Sequence, residues 1–152
     1  NAAPKTICDI AAKLQLSAVQ LHGAETELEI AELTERLEQA GLTTQIWKAV
    51  SVDAQTGEIG NLPQGASRYL FDSKTSDQFG GSGQAFNWQS IDVKSLCPQK
   101  AHAMLAGGLN PGNAASANTQ GFYGLDFNSG LETAAGIKSA QLIQTAFAHL
   151  RL

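Results

Sequence analysis

Asp72 is the residue of this chain best placed to do chemistry. It closes an apolar run, Tyr69-Leu-Phe71, so a buried strand would deliver its carboxylate to the point where that strand ends. A glycine-rich loop, Gly80-Gly-Ser-Gly83, follows shortly afterwards. A carboxylate at a strand end beneath a mobile loop is what proton transfer on a small bound molecule requires. Gly80, Gly81 and Gly83 would give such a lid its mobility. The competing reading is that Asp72 pairs with Lys74 or caps a turn.

Other polar and glycine residues gather at equivalent points: His22-Gly23, Gly107-Gly108, and Asp126 with Asn128-Ser-Gly130. Glycine lets backbone N–H groups approach an anion closely, and a helix N-terminus adds a favourable dipole. Gly107, Gly108, Ser129 and Gly130 are therefore candidate phosphate-binding residues, in loops that need no Lys or Arg; otherwise they simply make turns. Asp126, flanked by Leu125 and Phe127, points opposite to both in a strand, and an interior would hold it only with hydrogen-bond partners. His22 is either a donor to substrate or a structural histidine. Gly81-Ser-Gly83-Gln-Ala-Phe86 is not a dinucleotide fingerprint, because it does not directly follow a strand and Phe86 replaces the third glycine. His102 and His149 carry no functional signal, Trp47 and Trp88 read as packing, and no His, Cys, Asp and Glu group has metal-ligand spacing.

These residues need a scaffold, and the chain supplies one in order. Pro4 suits the first turn of a helix in which Ile7, Ile10, Ala11 and Leu14 share a face. Ser17–Leu21 reads as a short buried strand. Glu25–Ala40 is the clearest helix, with Ile30, Leu33, Leu37 and Ala40 on one face and Glu25, Glu29, Glu32 and Arg36 on the wet one. Gly41 sits at its C-cap. Thr44–Val50 is a second strand, residues 53–66 form a polar connection, and Arg68–Asp72 is a third strand. The loop 73–86 is long for a strand-to-helix connection. Asn87 caps a helix over Trp88–Leu96. Ala101–Ala106 is a fourth strand, Pro111 opens a helix, Gly121–Phe127 is a fifth strand, and a helix over 138–150 buries Ala140, Ile143, Phe147 and Leu150.

Five strands alternate with helices, and no hairpin turn signal joins consecutive strands. The expectation is an α/β fold with a parallel sheet and right-handed crossovers. Two architectures fit. One is a flavodoxin-like doubly wound sheet, as a non-catalytic phosphate- or nucleotide-binding module; the other is the larger part of an eight-stranded barrel. Strand order separates them, sequential neighbours for the barrel and 2-1-3-4-5 for its rival.

The 152 residues, read as one domain, are enough to bury a core. A net charge of −4 argues against general binding to nucleic acid or acidic membranes. No apolar run approaches the roughly 18–20 residues of a membrane span. Cys8 and Cys97 lack CxxC spacing and read as reduced thiols, consistent with a cytoplasmic setting.

Five motifs, taken together, resemble one family. They are Val19-Gln-Leu-His-Gly23, Phe71-Asp-Ser-Lys74, Gly80-Gly-Ser-Gly-Gln-Ala-Phe-Asn-Trp88, Leu105-Ala-Gly-Gly-Leu-Asn-Pro111 and Gly124-Leu-Asp-Phe-Asn-Ser-Gly-Leu-Glu132. In order and wording they resemble phosphoribosylanthranilate isomerase, and the Asp-Phe-Asn-Ser wording is similar to the isomerase half of the bifunctional bacterial enzyme. The resemblance implies a (β/α)8 barrel. It begins just after the family's third strand, so the five strands here are expected to be strands four to eight.

The resemblance further implies an Amadori rearrangement of an aminoaldose to an aminoketose in tryptophan biosynthesis, without cofactor. Asp72 matches the family's general acid, and enclosure under the 80–83 loop would raise its pKa. His22 and Asp126 match residues lining the substrate pocket, and the loops of Gly107-Gly108 and Ser129-Gly130 match the phosphate cradle. The family's general base is a cysteine in a Lys-Ile-Cys-Gly-like motif, which these 152 residues do not contain. Asn87 departs from the family's usual Asp. The expected substrate is a small sugar phosphate, and the chain is expected to continue into an N-terminal barrel part and, in the bifunctional form, a synthase domain. By itself it is expected to be inactive.

Overall fold

A computed structural model describes residues 2–53, 56–74 and 102–150. The expected lid glycines Gly80, Gly81 and Gly83, the helix over Trp88–Leu96, and Cys97 lie outside these residues. In order, the elements are α1 (Pro4–Leu14), β1 (Ala18–Leu21), α2 (Glu27–Gln39), β2 (Gln45–Asp53), β3 (Arg68–Lys74), β4 (Ala103–Leu105), α3 (Ala114–Asn118) and β5 (Gly124–Leu125). A 3-10 turn (Ser129–Leu131), β6 (Glu132–Ala134), β7 (Ile137–Lys138) and α4 (Ala140–Leu150) complete the chain. The strands of the main sheet are hydrogen-bonded in the order β1-β2-β3-β4-β5. Ala18–Leu21 runs parallel to Gln45–Lys48, and Met104–Leu105 runs parallel to Gly124–Leu125. This is the sequential order expected of a barrel sheet, not the 2-1-3-4-5 order of a doubly wound one.

The chain divides into two compact units. The first comprises Asn1–Val50 and Asn61–Leu70. Its core brings Ala11 of α1, Leu21 of β1, Ile30, Leu33 and Leu37 of α2, and Ile46 of β2 together. Full burial of each Leu or Ile among them favours folding by about 1.5–3 kcal/mol. The expected apolar face of α2 is observed at Ile30, Leu33 and Leu37, but Ala40 is exposed and caps the helix; α1 turns differently, with Ile7 and Cys8 packing with Ala11 while Ile10 and Leu14 are exposed. Thr26 starts α2 with a capping box. Its hydroxyl accepts from the Glu29 N–H, and the Glu29 carboxylate accepts from the Thr26 N–H at 2.8 Å. Tyr69 of β3 is buried, its hydroxyl donates to the Pro63 carbonyl at 2.9 Å, and burial pushes the phenol's pKa up.

The second unit comprises Ser51–Gly60 and Phe71–Leu152. Phe71 is fully buried and meets Phe122 at 6.3 Å between ring centroids, beside buried Ala103, Leu105, Leu109, Ala114 and Ala117. Four expectations are corrected here. The polar connection after β2 is partly strand-like, since β2 continues to Asp53 and Val52 bridges Ile59. Pro111 does not open α3, which starts at Ala114. Instead, the Asn110 and Asn113 side chains tie a turn over 110–114, and a side chain bonding the local backbone favours a turn over a helix. The final helix starts at Ala140 instead of 138, because 132–138 is an antiparallel hairpin: Ala135-Gly136 turns the chain, with Gly136 at φ 77°. Finally, α4 buries Ala146, whereas Ala140 is exposed, Ile143 and Leu150 are half-buried, and Phe147 is 55% exposed.

Candidate functional site

In the second unit, the predicted residues lie at or near the C-terminal ends of three adjacent strands. Asp72 is the fifth residue of β3, half-buried and two residues inside the strand's end, so it does not terminate the strand as expected. Side chains alternate along a strand, so Asp72 projects from the face opposite to Phe71. The Ala106 N–H donates to the Phe71 carbonyl at 2.8 Å, and the Asp126 N–H donates to the Leu105 carbonyl at 2.8 Å. This ladder sets Asp72, Gly107 and Asp126 at neighbouring strand ends. Asp126 is exposed and lies one residue past β5, so it is not the interior carboxylate that a longer fifth strand would have made it.

The two glycine loops meet. Gly107 and Gly108 have φ of 84° and 65°, a left-handed backbone that side chains disfavour. A Cβ at Gly130 would lie 1.9 Å from the Leu109 carbonyl oxygen, so only glycine lets these two stretches of backbone touch. Asparagines brace the first loop: Asn110 Nδ2 and Asn113 Nδ2 donate to the Gly108 carbonyl at 3.1 and 2.9 Å. A lysine braces the second: Lys138 Nζ donates to Asn128 Oδ1 at 2.6 Å, to the Asn128 carbonyl at 3.0 Å and to Glu132 at 2.5 Å. The Lys138 bond, helped by the Gly136 N–H, holds the Glu132 carboxyl below the usual carboxylate range. Sequence reading missed these braces, although Asn110-Pro-Gly-Asn113 is a turn signal in its own right.

His22 belongs to the first unit, where it follows β1 and is exposed, with Nδ1 3.4 Å from Gln20 Nε2. There the sequence reading is corrected at Glu25 and extended at Lys48. Glu25 precedes α2 instead of lining its wet face, and Lys48, in the middle of β2, is 3% exposed although sequence reading assigned it no role. The two pair at 3.2 Å.

A cleft of about 290 Å³ in the second unit is lined chiefly by apolar groups, among them Phe122, Tyr123, Leu125, Phe127 and Phe147. None of the predicted site residues lines it, so its size does not make it the chemical centre. Among the described residues, no group of three His, Cys, Asp or Glu could hold a metal ion, and no helix is long and apolar enough to cross a membrane.

Comparison with known proteins gives a concordant picture. The chain is 43% identical to the tryptophan biosynthesis protein TrpCF of Haemophilus influenzae, over 93% of this chain and 28% of that protein. It is 43% identical to the protein of the same name from Vibrio cholerae, over 95% and 29%. The chain thus spans under a third of the length of these curated relatives. Its fold resembles crystal structures of phosphoribosyl anthranilate isomerase from Thermus thermophilus (TM-score 0.73, 27% identity, 99% of this chain and 68% of that one) and Thermotoga maritima (0.70, 28%, 99% and 69%). The sequence model of N-(5'phosphoribosyl)anthranilate (PRA) isomerase matches residues 1–149, and the chain belongs to that family.

Proposed function

We propose that the full-length protein isomerises N-(5-phosphoribosyl)anthranilate to 1-(2-carboxyphenylamino)-1-deoxyribulose 5-phosphate in tryptophan biosynthesis. The observation that carries this reading is the family match across residues 1–149. The reaction needs an acid to protonate the furanose ring oxygen, opening the ring to a Schiff base. A base then removes the C2 proton, and the resulting enolamine tautomerises to the ketone. Asp72 is the acid, since it is the carboxylate carried on β3 inside the Phe71-Asp-Ser-Lys74 motif. Asp126 bonds ribose hydroxyls and His22 contacts substrate. The backbone of Gly107, Gly108, Ser129 and Gly130 cradles the phosphate, a role favoured by the bare glycine contact between the two loops.

The five sequential strands, with coverage of 68–69% of the solved isomerases, support assigning this chain to strands four to eight of a (β/α)8 barrel. The rest of the barrel and, as in a bifunctional parent, a synthase domain would belong to the same polypeptide in the cytoplasm. Asp72→Asn in the full-length protein tests the acid. It should lower kcat by about 10²–10⁴-fold while leaving the product's Kd within a few-fold. An unchanged kcat removes Asp72 from the mechanism.

A further inference from the structure

The Lys48–Glu25 pair has a role that its position makes specific. Lys48 shares a face of β2 with Ile46, Val50 and Val52, all buried, so its ammonium sits in an otherwise apolar row. A desolvated ammonium is costly unless every donor is matched. Lys48 has three donors and three acceptors: the Gly23 carbonyl at 2.8 Å, the Ala49 carbonyl at 2.8 Å and Glu25 Oε2 at 3.2 Å. Glu25 in turn accepts the Gly23 N–H, at 3.1 and 2.9 Å to its two oxygens. Gly23 is therefore held at both backbone groups, its N–H by Glu25 and its C=O by Lys48, and Gly23 directly follows His22.

We propose that Lys48 and Glu25 are positioning residues that fix the backbone beside His22, so that its exposed ring is presented in one place. Neither touches substrate; both act through Gly23. An aliphatic residue at 48 would suit the row, but it would leave the Gly23 carbonyl and the Glu25 carboxylate without their cation. The proposal deepens the isomerase reading and rests on it for the role of His22.

Two measurements on the full-length protein test it. Hydrogen exchange of the 22–26 segment reads the backbone directly. Lys48→Met and Glu25→Gln should speed it by about tenfold or more while exchange within α2 is unchanged. Turnover of phosphoribosylanthranilate reads the consequence. Each variant, like His22→Ala, should lower kcat/KM by about tenfold, and Lys48→Met should add less than about twofold on top of His22→Ala. A merely structural pair would lower Tm and leave kcat/KM alone, or its loss would multiply with that of His22→Ala; either overturns the proposal. So does unchanged exchange at 22–26. Glu25→Gln keeps the side chain's size and an acceptor oxygen, so it decides the matter if Lys48→Met does not fold. If the wild-type protein shows no turnover, the isomerase reading fails, and exchange alone still decides whether the pair holds Gly23. If wild type turns over and His22→Ala matches it, the proposed consequence falls although the isomerase reading stands.

Discussion

Gly130 makes a sharp steric demand. A Cβ there would meet the Leu109 carbonyl oxygen at 1.9 Å, its carbon at 2.8 Å and the Asn110 Cβ at 2.9 Å. Two of these atoms are backbone and cannot swing aside. Gly130→Ala must therefore push the 107–110 and 128–131 loops apart, at a cost of about 1–3 kcal/mol by analogy with overpacked cores. Urea unfolding of the full-length protein checks this, and product should bind more weakly in the same variant. A change below about 0.5 kcal/mol would mean that the loops separate freely. The contrast is Gly41, at φ 68° but with nothing within 4 Å, where a side chain meets only the backbone preference. The sequence marks Gly107, Gly108 and Gly130 as loop glycines by type and place. It does not reveal that Gly130 must be glycine, because Leu109 comes to it through the fold. Lys48 was hidden for a related reason: alternation puts it on the buried side, but only the return of Gly23 and Glu25 makes a buried ammonium tenable there.

At the scale of elements, the core face of α2 was legible from its apolar spacing, whereas its start, expected at Glu25, is fixed at Glu27 by the Thr26 cap. Its apolar spacing matches the buried Ile30, Leu33 and Leu37, and Thr26 with Glu29 closes the N-terminus. The Thr26 N–H first, and its hydroxyl second, hold the Glu29 carboxyl below its ordinary value of 4.5. A carboxyl whose folded pKa is depressed binds fewer protons in the folded state. Its contribution is therefore fully present above about pH 4.5 and is lost as pH falls through the folded pKa. Thr26→Ala should cost about 1 kcal/mol at neutral pH. The loss should shrink as pH falls through the depressed pKa of Glu29, because the protonated carboxyl no longer favours the cap. Denaturant titrations of wild type and variant at neutral pH and at successively lower pH read the difference, and a pH-independent loss would remove Glu29 from the cap. Shorter elements were less legible because a few side-chain bonds decide them. The Asn110 and Asn113 amides shift the start of α3, and the turn at Gly136 makes a hairpin of 132–138 and delays the last helix to Ala140. In α4, small Ala146 takes the buried position while Phe147 faces outward, a choice that apolar periodicity alone does not resolve.

For the whole molecule, the decisive pattern is the strand order. Alternating strands and helices allow either a doubly wound sheet or a barrel sheet, because both obey the same crossover rule. Which strand neighbours which is a long-range matter, and the observed order β1-β2-β3-β4-β5 places successive strands side by side. The isomerase structures from Thermus thermophilus and Thermotoga maritima share this fold at TM-scores of 0.73 and 0.70. Catalysis by a paired acid and base depends on both groups reaching one substrate, and removing either costs about 10²–10⁴-fold. Asp72 supplies the proposed acid. The cysteine expected as base sits in a Lys-Ile-Cys-Gly-like motif, whereas the cysteines of this chain lie in Ile7-Cys-Asp9 and Leu96-Cys-Pro98. Cys8 is half-buried in α1, with its sulfur 3.5 Å from the Arg36 carbonyl. These 152 residues, expressed alone, should therefore isomerise phosphoribosylanthranilate at least about 10²-fold more slowly than the full-length protein. Addition of the remaining polypeptide in trans should restore part of the rate if the two pieces assemble. Steady-state assay of both forms measures the ratio, and turnover of the isolated chain within tenfold of the full-length protein would show that the base lies within these residues after all.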